Sequence, residues 1–441
     1  MPVFKTVTLG CKVNQYETEY VRQGLLGAGF REAANDEPAD LCIVNTCTVT
    51  VESDYKGRKI IRALARENPK AEIVVMGCYA TRAAAEVASL PRVARVVTDK
   101  RRLPDLVREL AHAEPPSGIA SFDRLHRACV KVQDGCTLDC SYCIVPKVRP
   151  VPISRPVAEV VEEIGRLVDR GHREIVLTGI HLGCYGADFP ATEGPRVDLV
   201  GLLRAVVGLE GEFRVRLSSL EAAEIDLSLL RLMADFPERI CSHLHVPLQS
   251  GSNAVLERMR RRYTAEEFLA QCDRIRSMLG EPALTTDVIV GFPGESDVDF
   301  EATCRVVRQA RFAKIHVFRF SPREGTLAAT MPDQIPPPIK QRRAERLGEI
   351  GRQLRQAFCA GLIGQELQVV AERVLEGRPS QLSGTADRYV TVRFPGGPEL
   401  MDHLVRVTAE GVAGDCVVAT NARAVDNPRV GPARGQSGDS A

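Results

Sequence analysis

The chain's 441 residues, 44% hydrophobic and 26% charged with 35 Gly, 27 Pro and no Trp, suit a globular protein of about two to four domains. No apolar run approaches the ~18 residues of a membrane span, and the start MPVFKTVTLG lacks a secretory signal, which predicts a cytoplasmic protein with no membrane partner. A net charge of +1 announces no nucleic-acid partner, 5% aromatic content argues against a ring-lined carbohydrate or lipid groove, and 14 Cys in a reducing compartment favour metal or redox chemistry over disulfides.

Taken in chain order, the first stretch alternates short apolar runs with helical periodicity, the pattern of a parallel sheet with helices on its faces. Strands are expected at 3–9, 40–46, 72–77 and 93–98, and helices at 15–29, 52–68, 82–90 and 103–112, the first opened by Asn14 as N-cap with Glu17 at N3. The run 114–118 (EPPSG) reads as a linker. Longer βα units follow, with strands expected at 128–133, 174–178, 214–218, 241–246, 284–290 and 314–320. Six such units suit an open barrel better than a closed eight-stranded one, which takes about 250 residues. After the break 335–338 (IPPP) comes a charged helix, 339–362. The runs 366–370, 389–394, 404–408 and 416–419 then alternate and are punctuated by Gly and Pro, which predicts a small antiparallel β-barrel. The last stretch, NPRVGPARGQSGDSA, has no packing face.

The sharpest chemical signal is Cys136-x3-Cys140-x2-Cys143 in QDGCTLDCSYCIVP. Three thiolates on a short loop suit three corners of an iron-sulfur cubane with one iron left open. Zinc and three unrelated core thiols are the alternatives, although structural zinc takes four ligands and the loop supplies three. The loop follows the first barrel strand, and parallel α/β architectures place chemistry at carboxyl ends of strands. A second set is dispersed: Cys11 after VTLG, Cys47 after IVNT and Cys78 after VVMG each lie just past an expected strand. Strand ends along one sheet edge bring such positions together, which makes a second cluster plausible against the alternative of small buried residues. Cys42, Cys129, Cys241, Cys272, Cys304, Cys359 and Cys416 fall within strand or helix patterns and read as core, while Cys184, in a Gly-rich turn, stays open.

The Cys-x3-Cys-x2-Cys loop resembles that of the radical S-adenosylmethionine superfamily, which implies a 4Fe-4S cluster with S-adenosylmethionine on the unique iron and reductive formation of a 5′-deoxyadenosyl radical, with Cys136, Cys140 and Cys143 as the catalytic ligands. Over residues 3 to 424 the chain further resembles the methylthiotransferase family, through TLGCKVNQYETE, ADLCIVNTCTVT, MGCYA, DGCTLDCSYCIVP, SSLEAAEI, HLHVPLQSGS, MRRRYT and TDVIVGFPGES. That resemblance implies a flavodoxin-like N-terminal domain (1–113) holding an auxiliary 4Fe-4S cluster on Cys11, Cys47 and Cys78. It further implies a linker (114–126), an open (β/α)6 radical barrel (127–362), a small C-terminal TRAM barrel (363–425) and a disordered tail (426–441). GCKVNQYE looks like the branch acting on threonylcarbamoyladenosine in tRNA; isopentenyladenosine tRNA, a ribosomal-protein aspartate and a non-catalytic RNA-binding metalloprotein are the alternatives. The family also implies two S-adenosylmethionine molecules per turnover, an external electron donor, and cofactor contacts at Thr178, Gly179, Ser218, Gln249 and Ile289. Two departures concern the loops around Arg149, where the family has Arg-Gly, and Ala222, where it has SSxEP. The arginines at 258 and 260–262 and those between Lys340 and Arg355 are candidate phosphate contacts, whereas segment 365–424 carries six Arg against eight acidic residues.

Overall fold

A computed structural model describes residues 1–34, 37–122, 126–190 and 197–425; the expected tail, 426–441, lies outside the described residues. The N-terminal apolar runs form a parallel sheet in the order Arg31–Glu32, Val3–Thr8, Leu41–Thr46, Glu72–Gly77, Val93–Val96. That is the flavodoxin-like order, with the reversal beside Val3–Thr8. Leu41–Thr46 is buried at every position, as a central strand covered on both faces must be.

Two local expectations change. The helix Lys12–Gly27 is capped at Cys11, not Asn14. Asn14 sits in its first turn and donates Nδ2 to the carbonyls of Leu9 and Thr46 at 2.8 and 3.1 Å, so its amide ties loops together instead of capping. The expected helix 82–90 is two short ones, Cys78–Arg82 and Ala84–Ala88, separated by Ala83 at φ −134°.

The second region carries six parallel strands: Arg127–Asp134, Glu174–Gly179, Arg214–Leu217, His243–His245, Ala283–Val290 and Lys314–Arg319. The ladder between the third and fourth thins to single bridges, Val215 with Ile240 and Ser219 with His245, and the circle stays open. A two-residue strand, Ile153–Ser154, pairs antiparallel at one edge. At the other edge the helix Pro337–Gly361 packs on Lys314–Arg319; a proline in its first turn costs no hydrogen bond there.

The C-terminal strands Glu366–Leu375, Arg378–Ala386, Thr391–Pro395, Leu404–Ala413 and Cys416–Ala424 close into a barrel. One pairing, Thr391–Pro395 with Cys416–Ala424, is parallel, which corrects the purely antiparallel expectation. Five strands closed in a ring cannot all alternate in direction, so one like-directed pair is unavoidable. This barrel docks through Arg214 and Arg216, both fully buried and both held by Glu174. Among the described residues no helix is long and apolar enough to cross a membrane.

Candidate active site

Each cysteine of the dispersed set stands at the carboxyl end of a strand of the first sheet. Cys11 follows Val3–Thr8 and caps the next helix, Cys47 follows Leu41–Thr46, and Cys78 opens a helix directly after Glu72–Gly77. Glycine is required at two of these corners. Gly10 has φ +113° and an added Cβ would lie 3.0 Å from the Cys47 Cβ; Gly77 has φ +95° and its Cβ would lie 2.3 Å from the Thr46 carbonyl oxygen. These glycines let the strand ends draw the three thiols toward one another. Desolvation raises the Cys47 thiol above its ordinary value.

The compact triplet leaves the end of Arg127–Asp134. Gly135, at φ +76°, makes the turn, and a Cβ there would lie 2.0 Å from the Val151 carbonyl oxygen. The Cys136 amide donates to the Arg149 carbonyl at 3.1 Å, and that of Cys143 to Cys140 at 3.0 Å. Ser141 is tied to the 258–261 segment by its amide to the Met259 carbonyl at 3.1 Å and its hydroxyl to the Arg258 carbonyl at 2.7 Å. Arg261 Nη1 donates to Cys140 Sγ at 3.4 Å, while its Nη2 pairs with Glu221. Arg260 pairs with Asp139, so two members of the basic run grip this loop and are engaged by acids. Burial pushes the Cys143 thiol up to about 12, with the neighbouring Cys140 and Cys136 charges adding to it.

A tetrahedral zinc with sulfurs about 2.3 Å away would hold them about 3.8 Å apart. Neither triplet converges that tightly among the described residues, where the close grouping of three potential ligands is His181, Cys184 and Glu224, within 4.8 Å of one another. Three thiols in each set suit three corners of an iron-sulfur cubane. Ambiguous Cys184 thus lies 3.2 Å from His181 Nδ1, which is also 3.8 Å from Cys136 Sγ. Burial alone would lower the His181 imidazole, but its contacts with Cys136, Cys184 and Glu224 push it up to about 12. The loop around Ala222 supplies both Glu221 and Glu224 to this neighbourhood. Of the cysteines expected in the core, Cys42, Cys129, Cys241, Cys272, Cys304 and Cys359 are buried, but Cys416, the first residue of the last barrel strand, is only half-buried.

Of the five expected cofactor contacts, Gln249 and Ile289 line one cavity of about 170 Å³ together with Cys143 and Tyr142. Gln249 adopts φ +63° and bonds through its backbone to Asp287 and Ile289, both at 2.9 Å. Thr178 and Gly179 end the second barrel strand and Ser218 follows the third, outside the lining of that cavity. The Ser218 hydroxyl is buried with no hydrogen-bond partner among the described residues, a donor left available to a ligand.

The two sets of thiols come together. Ile144, next after Cys143, packs against Cys78 and Val148, and Val49 and Thr50, just beyond Cys47, line the Cys143 cavity. Between the sets lies a charged network that motif reading left out: Glu17, Asp134, Lys131, Lys100 and Arg149. Lys131 Nζ is 2.8 Å from Glu17 and 2.5 Å from Asp134. Lys100 Nζ donates to the Val148 carbonyl at 3.0 Å, and burial pulls this ammonium down to about 8 against the opposing effect of Cys78. Glu17 and Asp134 belong to the quoted motifs GCKVNQYE and DGC, a signal that pointed to them without a role.

Three arginines of the basic helix are engaged by acids, one of them buried. Arg343 is buried against Glu295 at 2.6 Å and Asp297 at 2.7 Å, Arg346 is paired with Glu301, and Arg352 with Glu349.

Residues 130–307 match the radical SAM superfamily and residues 4–99 the uncharacterized protein family UPF0004. The chain is similar to the threonylcarbamoyladenosine tRNA methylthiotransferases MtaB of Bacillus subtilis (36% identity, 91% of this chain and 92% of that protein) and Chlamydia pneumoniae (39%, 94% and 98%). It is also similar to the tRNA-2-methylthio-N(6)-dimethylallyladenosine synthase of Moorella thermoacetica (34%, 92% and 95%). Among solved structures, the radical S-adenosylmethionine methyltransferase TsrM from Kitasatospora setae shares the fold, with a TM-score of 0.55 at 15% identity over 74% of this chain and 77% of that one.

Proposed function

The chain belongs to the radical S-adenosylmethionine tRNA methylthiotransferase family, and on that premise we propose that it methylthiolates C2 of N6-threonylcarbamoyladenosine beside the anticodon. In this reading it holds two 4Fe-4S clusters, consumes two molecules of S-adenosylmethionine and takes electrons from an external donor. The observation that carries the reading is the contact of Ile144 with Cys78, which joins the radical loop to the dispersed thiols. The target carbon is neither acidic nor electrophilic, so acid-base chemistry has no purchase on its hydrogen and a radical is required.

A 4Fe-4S cluster with S-adenosylmethionine would supply the hydrogen-abstracting radical chemistry, and a second cluster would hold the attached sulfur that is methylated and delivered. The protein's own residues do the rest. Cys136, Cys140 and Cys143 would hold the first cluster, and Cys11, Cys47 and Cys78 the second. Arg261 steadies Cys140 by its N–H donation. Gln249 and Ile289 shape the cavity beside Cys143, and the unpartnered Ser218 hydroxyl offers a donor for the polar end of S-adenosylmethionine. Val49 and Thr50 line that cavity from the N-terminal side. A base next to the anticodon is already unpaired, so placing it there breaks little stacking. The C-terminal barrel contributes to tRNA binding.

The relatives named for threonylcarbamoyladenosine are 35–39% identical and those named for dimethylallyladenosine 33–34%, which together with GCKVNQYE favours the former. The test is anaerobic reconstitution followed by nucleoside mass spectrometry on tRNA carrying each modification. The wild-type chain is expected to approach eight irons, and each triple Cys→Ala variant four. Product on isopentenyladenosine tRNA alone would reassign the substrate, and four irons in the wild type would remove the second cluster.

A further inference from the structure

Arg149 is 4% exposed and spends every donor it has. Its Nε donates to Cys78 Sγ at 3.4 Å. Nη1 donates to Glu17 Oε1 at 2.7 Å and to both Asp134 oxygens at 2.8 Å, and Nη2 to Glu17 Oε2 at 2.8 Å and Asn14 Oδ1 at 3.2 Å. Its carbonyl accepts from the Cys136 amide at 3.1 Å. One residue therefore touches a cysteine of each triplet: Cys78 through its side chain and Cys136 through its backbone. The planar fork meets Glu17 bidentately, a geometry that an ammonium cannot reproduce.

We propose that Arg149 is a positioning residue for both centres, fixing Cys78 relative to Cys136 and, through its N–H to the Cys78 sulfur, raising the reduction potential of the cluster on Cys11, Cys47 and Cys78. This role of Arg149 rests on the reading that those three thiols hold a 4Fe-4S cluster. One-electron reduction adds negative charge to a cluster, and a hydrogen bond to a ligating sulfur stabilises the reduced form more than the oxidised one. The surrounding network holds three cations, Arg149, Lys131 and Lys100, against two carboxylates, Glu17 and Asp134. Net charge and directed hydrogen bonding both bear on the potential, and substitution separates them.

The full chain with Cys136, Cys140 and Cys143 replaced by Ala, reconstituted anaerobically, carries only the auxiliary cluster, whose midpoint is read by an EPR-monitored titration. Arg149→Gln is expected to lower that midpoint. Glu17→Gln/Arg149→Gln removes one charge of each sign, leaves the network's net charge unchanged and is expected to lower it as well. Arg149→Lys keeps the charge without the fork and should fall closer to Arg149→Gln than to the parent. Loss of iron from both Arg149→Gln variants with an unaltered circular dichroism spectrum would support the placing of Cys78. Retention of four irons with an unchanged midpoint in both overturns the proposal, and so does a fall seen in the single variant but absent from the double, since net charge would then be the cause. A parent that binds no iron defeats the auxiliary-cluster reading, and this assignment with it.

Discussion

The C-terminal barrel is held to the radical barrel by a buried charge triad, and replacing Glu174 by Gln tests what that triad contributes. The carboxylate is 0% exposed. It accepts from Arg214 at 2.8 and 2.6 Å and from Arg216 at 2.6 and 3.0 Å. The same guanidiniums reach across to barrel carbonyls: Arg214 to Gln368 and Thr385 at 2.5 and 2.8 Å, and Arg216 to Asp387 and Ala386, both at 2.9 Å. Of the four bonds to Glu174, Oε1 accepts one and Oε2 the other three, so a Gln that keeps its oxygen at the Oε2 position turns its amide nitrogen toward the Arg216 Nε donor and loses one charge-assisted bond, worth about 1.5–3 kcal/mol. The three bonds that remain lose their anionic acceptor, which brings the cost toward the about 3–5 kcal/mol of a broken buried ion pair. With no Trp in the chain, urea unfolding is followed by circular dichroism, and amide exchange at residues 384–390 reads undocking directly. Burial works to raise the Glu174 carboxyl, but Arg216 and Arg214 overcome it and hold the group below the usual carboxylate range. A depressed folded value means the stabilisation is complete above the unfolded value of about 4.3 and declines as pH falls below it. The gap between wild type and Glu174→Gln should therefore be constant at neutral pH and narrow under acid. Unchanged unfolding and unchanged exchange in the variant would refute the reasoning.

Gly77→Ala should cost about 1–3 kcal/mol from its positive φ alone, and overlap with the Thr46 backbone forces the Cys78 corner to move; a drop in iron from about eight to four per chain is expected, and wild-type iron content would contradict it. Arg343→Gln strands the buried Glu295 carboxylate and should destabilise by about 3–5 kcal/mol in a denaturant melt. Arg346→Gln, in an exposed pair with Glu301, should change stability by under about 1 kcal/mol and leave the salt dependence of tRNA binding unaltered; a slope smaller by about 1 would return this helix to the phosphate surface.

The main lines of the fold were legible because they depend on local periodicity. Apolar runs such as LCIVNT and EIVVMG end at a cysteine, and knowing that parallel strand ends share an edge suffices to gather Cys11, Cys47 and Cys78. What escaped notice depends on distant partners. Arg149 meets Asn14, Glu17 and Cys78 across 135, 132 and 71 positions, so no window of sequence contains its reason for being buried. The helix from Pro337 looked like a free basic face because the acids that answer it lie 45 to 48 positions earlier, on and before the helix Asp297–Gln309. The strand Arg378–Ala386 reads RPSQLSGTA, too polar to signal a strand, and only barrel closure recruits it.

The junction between the two sheets is built to stay shut. Asp54 of the N-terminal region is 3% exposed and held by Arg82 at 2.7 Å and by Arg323 of the barrel region at 2.5 Å. On the other flank Tyr16 donates to Glu163 at 3.0 Å, and Arg155 reaches both. Opening the junction would break the buried Asp54–Arg323 and Glu17–Arg149 pairs, at several kcal/mol for each, and the hydrogen bonds of Tyr16 to Glu163 and Arg155, while Asp54 keeps Arg82 and Glu163 keeps Arg155. A hinge here is thus a poor route for a substrate. The cavity beside Cys143 is instead bordered by Val49 and Phe318, 54% and 46% exposed. Both side chains line the cavity and stand exposed, so the cavity borders solvent on their side while the contacts that hold the two sets of thiols together stay made.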